Sequence, residues 1–336
     1  MNLIYRGSVK NLYSADDPGQ LWFEYTDDYS VFDWGKMPDP IRGKGESLAA
    51  LAEYFFHALS DPAQWKALGL ADDPRVQSVL PLRHHFLERQ GSRIRVVRVD
   101  VPKLGQTQVG GVLVYDYTYA RLKTQLIPLE VIFRFGVPKG SSLLKRKDWY
   151  PFPIHEGAEF EQPLIEFSTK LESGDRMLSY QEAAHMIEGG AQGLARLHDA
   201  TYTVASFLRR LFAGRGLKLW DGKVEWAWIG GALSLVDSIG PDELRVGLGD
   251  AVFSKQFLRD FYVGSPWYAA VEEAKRRAQA RGSAEWKPIV TEELKAAPGP
   301  LSPAVREAAE ALYADFRCIV VEGQPCTRFT EALKKL

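Results

Sequence analysis

Asp221, Lys223 and Glu225, spaced two apart in the stretch WDGKVEW, carry the clearest chemical content of this 336-residue chain. On an extended strand, side chains two apart share a face, so two carboxylates and an ammonium point the same way. The chain turns at Gly230–Gly231 and returns through ALSLVDSI, which brings Asp237 within reach of that row from the neighbouring strand. Two carboxylates and a lysine can hold magnesium against polyphosphate oxygens. The hard cation needs few hard oxygen ligands and keeps several waters, and the lysine neutralises phosphate charge beside it. A solvent-facing charged row on an edge hairpin has the same pattern, and periodicity alone favours that simpler reading. Both readings put Val224, Trp226 and Trp228 on the core face.

Other chemistries have less support. The chain holds no Gly-x-x-x-x-Gly-Lys-Ser/Thr loop, no Gly-x-Gly-x-x-Gly turn and no convincing nucleophile triad. Its six histidines lack metal-ligand spacing. Its two cysteines, Cys318 and Cys326, are too few for a disulfide framework and form no zinc motif, which suits a reduced, cytoplasmic setting. The start, MNLIYRGSVKNLYS, has no signal-peptide pattern, and no segment approaches the ~20 apolar residues of a membrane span. Hydrophobic residues make up 46% and charged residues 25%, with a formal net charge of -1. Nothing in that balance attracts nucleic acid or membrane, so the expected partners are small molecules, with a homo-oligomer left open.

The elements that must position these residues follow from pattern. Residues 1–36 read as short strands and turns, with LWFEYTDDYSVF β-prone throughout. MPDPIRGKG is a loop, and ESLAALAEYFFHAL has helical apolar spacing, with Glu46 and Ser47 at its start. RIRVVRVDVP alternates as a half-exposed strand, TQLIPLEVIFRFGV reads as a buried one, and PKGSSLLKRK is a basic loop. A long helical stretch from residue 180, broken at Gly189–Gly190 and ended at Gly214, precedes the charged hairpin. Helices near 266–281 and 303–316 follow it, separated by APGPLSP. Strands, helix, strands, long helix, hairpin and helices predict an α+β fold with mostly antiparallel pairing.

The chain resembles the SAICAR synthetase family, phosphoribosylaminoimidazole-succinocarboxamide synthases, in blocks that recur in the family's order. WDGKVEW, LVDSIGPD and Arg245 resemble the family's Asp-x-Lys-x-Glu strand, its return to an Asp, and its Pro-Asp and Arg. IYRGSVKNLYS resembles the N-terminal Gly-x-x-Lys strand pair, with Lys10 in the second lysine position. SVFDWGKMPDPIRGKG resembles the Ser-x-x-Asp and Gly-Lys-Gly segment, placing Asp33 and Lys44. IPLEVIFRF places Glu130 and Arg134, EFSTKLESGD resembles the Ser-Thr-Lys segment before the long helix, and SKQFLRDFY resembles a later block of longer members. The likeness runs from about residue 4 to 262.

The resemblance implies an ATP-grasp-like, two-lobed fold. It would comprise a nucleotide-binding lobe (1–125), a lobe with the ATP, magnesium and substrate sites (126–265) and a helical extension (266–336). It implies that Lys10, Lys223, Glu225 and Asp237 hold ATP phosphates and magnesium, the last two as metal ligands. Arg134, Ser142 and Arg245 would hold a phosphoribosyl substrate. Asp33, Lys223 and Asp237 would act at the reacting centre, Asp33 near the amine, and Lys170 and Asp175 would serve the amino-acid acceptor. The implied reaction joins aspartate to a phosphoribosyl-aminoimidazole carboxylate through an acyl phosphate, by positioning and charge neutralisation. Ser8, Ser238 and Leu244 depart from the family pattern, and Pro138 and Lys139 intrude in the loop that leads to Ser141 and Ser142. Those departures keep in view a divergent ligase acting on another heterocyclic carboxylate. A phosphotransferase, or a nucleotide-binding module without chemistry, would use many of the same residues.

Overall fold

Alternating side chains in the first hundred residues fold into one antiparallel sheet in a computed structural model that describes residues 1–283 and 285–336. Strands β1 (Leu3–Arg6), β2 (Lys10–Ser14) and β3 (Gln20–Tyr25) lead to helices α1 (Lys44–Ser60), α2 (Pro62–Ala67) and α3 (Pro74–Gln77). After the short β4 (Arg83–His84), β5 (Phe86–Gln90) and β6 (Arg93–Val97) complete the sheet in the order β1-β2-β3-β6-β5. The β-prone run after residue 21 forms strand only to Tyr25, and residues 26–43 cross to the helix as turns and loop.

Helix α1 begins two residues before the expected Glu46, with Gly43 as a left-handed N-cap that makes no side-chain cap bond. Gly45 shows why the loop is glycine-rich: a Cβ there would lie 2.3 Å from the carbonyl oxygen of Tyr25. The helix therefore starts in direct contact with the end of β3. Its residues Leu48, Leu51, Ala52, Phe55, Phe56 and Leu59 are buried, the stripe that a 3.6-residue period places on one side.

An exposed hairpin, β7 (Gly105–Val109) and β8 (Val112–Asp116), leads to the second sheet. That sheet contains β9 (Gln125–Gly136), β10 (Glu159–Thr169) and β11 (Met177–Leu178). Helices α4 (Tyr180–Met186) and α5 (Gly190–Ala213) follow, and then β12 (Lys218–Ile229), β13 (Ala232–Val236), β14 (Leu244–Leu248) and β15 (Ala251–Phe253). The strand order is β11-β10-β9-β12-β13-β4, with β14 also on β12, and every pair is antiparallel except β13–β4. The basic segment expected as a loop is a 3-10 helix over Ser142–Trp149.

Helices α6 (Gln256–Tyr262), α7 (Pro266–Ala280), α8 (Pro303–Arg317) and α9 (Arg328–Leu333) close the chain. Phe316 of α8 packs on Phe212 and Phe253 at ring distances of 5.8 and 5.5 Å. Buried Asp39 accepts from the Tyr29 hydroxyl at 3.1 Å and from Leu301 N at 3.2 Å, tying this extension to the N-terminal part of the molecule. The hydrophobic core runs without a break from Tyr25 to Phe329. Cys318 and Cys326 are joined as a disulfide, which corrects the expectation of two reduced thiols drawn from the cysteine count. Among the described residues, no helix is long and apolar enough to cross a membrane.

Candidate active site

Strand register decides which side chains meet. Asp221 stands opposite Arg134, Lys223 opposite Ile132 and Glu225 opposite Glu130 between β12 and β9, and Ser168 of β10 stands opposite Glu130. Alternation therefore gathers Glu166, Ser168, Glu130, Arg134, Asp221, Lys223 and Glu225 on one face. The other face carries Val131, Phe133, Val224 and Trp226 towards α5, where the Trp226 indole donates to Thr201 Oγ1 at 3.1 Å. β12 is a central strand, so the charged row is not an exposed edge: Asp221 and Glu225 are only 4% and 7% exposed. Charges buried this far persist only when paired.

Two adjoining networks pair them. In the first, Arg134 donates to Glu166 at 2.5 Å, to Asp221 at 2.9 Å and to Ser142 Oγ at 3.3 Å. Arg245 grips both oxygens of Asp221, and Glu166 also accepts from Arg146 at 2.8 Å and from the Tyr150 hydroxyl at 2.6 Å. Ser141 instead turns inward and caps the 3-10 helix, which leaves Ser142 as the serine in the cleft.

In the second network, Lys223 donates to Glu130 at 2.5 Å and Lys170 to Glu225 at 2.7 Å, while Lys10 bonds Asp237. Lys10 comes from the first sheet, so this pair bridges the two sheets, and its ammonium lies 5.1 and 5.0 Å from the ring centres of Phe23 and Tyr25. Val236 is the residue opposite Glu225, so plain alternation would turn Asp237 away. Its left-handed backbone, φ 67°, ends the strand and re-aims the carboxylate into the cluster. Non-glycine residues hold such conformations only where their surroundings enforce them, and these are often functional sites.

Electrostatics follow from this crowding. Burial works to raise the Asp237 carboxyl, but Lys10, Lys170 and Lys223 outweigh it and hold the group well below the usual carboxylate range. Glu225 goes the other way, raised by burial and by the Asp237 charge against Lys170 and Lys223. Burial works against the charged form of Lys223, yet Glu130 and Glu225 hold its ammonium above the ordinary range.

A cleft of about 390 Å³ opens over the first network and reaches the second. Arg134, Ser142, Asp175, Lys223 and Arg245 line it, while Lys10, Lys170, Glu225 and Asp237 form the cluster beside it. Asp33 sits outside that lining, exposed in a turn where Phe32 and Asp33 both have left-handed backbones, within electrostatic reach of Asp175 and Arg259. Lys170 stands between Glu225 and Asp175, nearer the second network than an acceptor role alone would suggest. Sequence reasoning missed Glu166, Asp242, Glu243, Lys255 and Arg259. Lys255 and Arg259 make no ion pair among the described residues, and burial lowers both, each also facing another cation. Glu243 is pushed up to about 8 by burial, Asp242 and Asp237. The signal for the last four lay in the PDE and SKQFLR stretches, which line the cleft together only in three dimensions, and Glu166 opens the EFSTK segment.

Next to Glu225 the face turns apolar: Leu126, Ala227 and Val236 cluster with Val99, Leu171 and Ile229. A larger hollow of about 670 Å³ between α4 and α5 shares no lining residue with the cleft and holds no comparable network.

The SAICAR synthetase family model matches residues 3–275. A protein of Archaeoglobus fulgidus, provisionally named phosphoribosylaminoimidazole-succinocarboxamide synthase, is 33% identical over 333 residues, 95% of this chain and 94% of the relative. A solved structure described as SAICAR synthetase (Type-2) in complex with ADP is 25% identical, with TM-score 0.56, over 81% of this chain and 96% of its own. The Saccharomyces cerevisiae SAICAR-synthase complexed with SAICAR shares the fold at 19% identity and TM-score 0.61, over 97% of this chain and 96% of its own. With a family model spanning most of its length and a relative matched nearly end to end, this chain belongs to the SAICAR synthetase family.

Proposed function

We propose that this protein is an ATP-dependent ligase that joins the amine of aspartate to the carboxylate of a phosphoribosyl-aminoimidazole carboxylate, releasing ADP and phosphate. The observation that carries this reading is the single sheet face on which an arginine network and a lysine–carboxylate network adjoin. A ligase of this kind must hold a triphosphate and an anionic acyl substrate side by side, and this face offers cations for both. Family membership and the ADP-bound relative support nucleotide binding.

Lys10 and Lys223 are suited to the phosphates. Glu225 and Asp237 fit a magnesium ion: two hard carboxylates close enough for one to raise the other present a charge that a dication would relieve. Bound there, the ion would neutralise phosphate oxygens. Arg134, Ser142 and Arg245, with Lys255 and Arg259, which have no ion-pair partner among the described residues, suit the phosphoribosyl phosphate. Asp33 and Asp175 are suited to the incoming amine, and Lys170 to a carboxylate of the amino acid. We keep the division into lobes 1–125 and 126–265 and an extension 266–336. A cytoplasmic setting agrees with a reaction that draws on ATP.

A carboxylate is a poor acyl donor because its leaving group would be oxide. Transfer of the γ-phosphoryl group makes an acyl phosphate, and the amine then forms the C–N bond as the C–O bond to phosphate breaks and the amine proton leaves. Positioning and charge neutralisation carry such a step. Leu244, which lines the cleft where the family has a small hydroxyl residue, favours a second reading, the same amide ligation on another heterocyclic carboxylate.

A coupled ADP-release assay with aspartate and a panel of heterocyclic carboxylates, with product mass measured, separates these readings. ADP release that requires both aspartate and the aminoimidazole carboxylate, with an amide product, is expected. Turnover with a different carboxylate alone supports the second reading. A stable phosphorylated product without amide indicates a phosphotransferase, and nucleotide binding without turnover indicates a module without chemistry.

A further inference from the structure

The family match ends at residue 275, yet α8, well beyond it, reaches the wall of the cleft. Tyr313 of this helix is 1% exposed, and its hydroxyl donates to Asp242 Oδ1 at 2.6 Å. On the other oxygen, Asp242 Oδ2 lies 3.0 Å from the Lys44 ammonium, which is itself fully buried and stands 5.3 Å over the Tyr313 ring. Asp242 is the one anionic partner of Lys44 among the described residues. Asp242 also lines the cleft, just before Glu243 and Leu244 on its own segment and within electrostatic reach of Lys255.

These three residues come from α1, from the connection between β13 and β14, and from the C-terminal extension. A carboxylate on such a connection would otherwise be free to rotate about its side-chain bonds. A carboxylate has room for about four hydrogen bonds. The Tyr313 hydroxyl occupies one lone pair of Asp242 and the Lys44 ammonium stands beside its other oxygen, so acceptor capacity remains for a ligand in the cleft that Asp242 lines. A phenylalanine would fill the same apolar volume in α8, so the hydroxyl adds orientation of Asp242 and not bulk.

We infer that Tyr313 is a positioning residue that, with Lys44, fixes the Asp242 carboxylate to accept from N–H or O–H groups of the acyl substrate. The inference rests on the ligase reading above, and it makes the extension part of the active site.

The test measures kcat and the KM of each substrate for Tyr313→Phe, Asp242→Asn and the double variant, with thermal melts. Tyr313→Phe is expected to raise the KM of the carboxylate substrate about tenfold, the effect of one hydrogen bond to a charged group. The KM of ATP should stay within about twofold. In the Asp242→Asn background, Tyr313→Phe should add less than about twofold, because coupled residues are not additive. Phe316→Leu, a buried change on the same helix, should lower Tm and leave every KM unchanged. The inference is overturned by an unaltered carboxylate KM in Tyr313→Phe, by an undiminished effect in the double variant, or by Phe316→Leu reproducing that effect. Wild-type protein that releases no ADP with aspartate and any carboxylate sinks the ligase reading and this inference with it. Wild-type turnover that Tyr313→Phe leaves untouched sinks only the inference.

Discussion

Replacing Asp237 by Asn tests the second network most directly, because one substitution removes both the proposed metal ligand and the anion that holds Lys10. In the ligand-free protein the change strands an ammonium whose side chain is 19% exposed and lies against Phe23 and Tyr25. Breaking a fully buried ion pair costs about 3–5 kcal/mol. Asp237 is 28% exposed, so water screens part of that. Relief of its repulsion with Glu225 trims the loss further, and about 2 kcal/mol remains as the expected destabilisation. An unfolding entropy near 2.1 cal/mol/K per residue gives about 0.7 kcal/mol/K for 336 residues, so Tm should fall by only about 3 °C. Turnover should fall by about a hundredfold or more, as expected when charge stabilisation at a transferring group is removed. Thermal melts and the coupled ADP-release assay on one preparation separate the two effects. An Asn variant that keeps wild-type turnover removes Asp237 from the mechanism. A fall in Tm of about 6 °C or more, the full cost of a buried pair, would refute the estimate of screening.

Three further outcomes follow from the geometry. Arg245→Ala should raise the KM of the carboxylate substrate by about 10- to 100-fold, far more than that of ATP, and the opposite split in steady-state kinetics would mean that the two subsites are exchanged. Gly222→Ala would put a Cβ 2.4 Å from Leu244 Cδ2 and 2.5 Å from Phe133 Cζ. It should cost about 1–3 kcal/mol in denaturant melts, and wild-type stability would show that the strands can spread. His84 is held down at about 4, chiefly by burial with His57 adding. Below the unfolded-state value near 6.5 the unfolded chain takes up a proton that the folded chain refuses, so stability falls as pH drops from 6.5 towards 4. The slope from this group is at most about 1.4 kcal/mol per pH unit, reduced by its partial exposure. His84→Gln should flatten that slope in urea melts at pH 6.5 and 4.5, and equal slopes for the two proteins would exclude the effect.

Much of this was legible because alternation is a local rule. Asp221, Lys223 and Glu225 had to share a face on any strand, and the Gly230–Gly231 turn fixed the hairpin. Periodicity could not say that β12 is central, so it favoured a solvated row where the structure has buried, paired charges. The aim of Asp237 depends on a left-handed backbone that residue type does not announce. Helix α1 starts early because Gly45 packs on Tyr25, a contact between distant segments. Tyr313 and Asp242 lie 71 positions apart, and no spacing rule links them. Lys255 and Arg259 lie in the SKQFLRDFY stretch, but only the fold shows that they line one cleft with Arg245.

The grip of Asp221 and Glu166 on two guanidinium groups has a thermodynamic consequence. Each arginine side chain carries roughly 2 kcal/mol of rotamer entropy that must be surrendered before it can hold a ligand in one geometry. Here that freedom is already lost when the chain folds, since Arg134 is bonded to Glu166, Asp221 and Ser142, and Arg245 is held at two points by Asp221. Their remaining N–H groups therefore wait in a rigid fork, and the phosphate proposed to bind there would meet donors whose immobilisation no longer subtracts from its affinity.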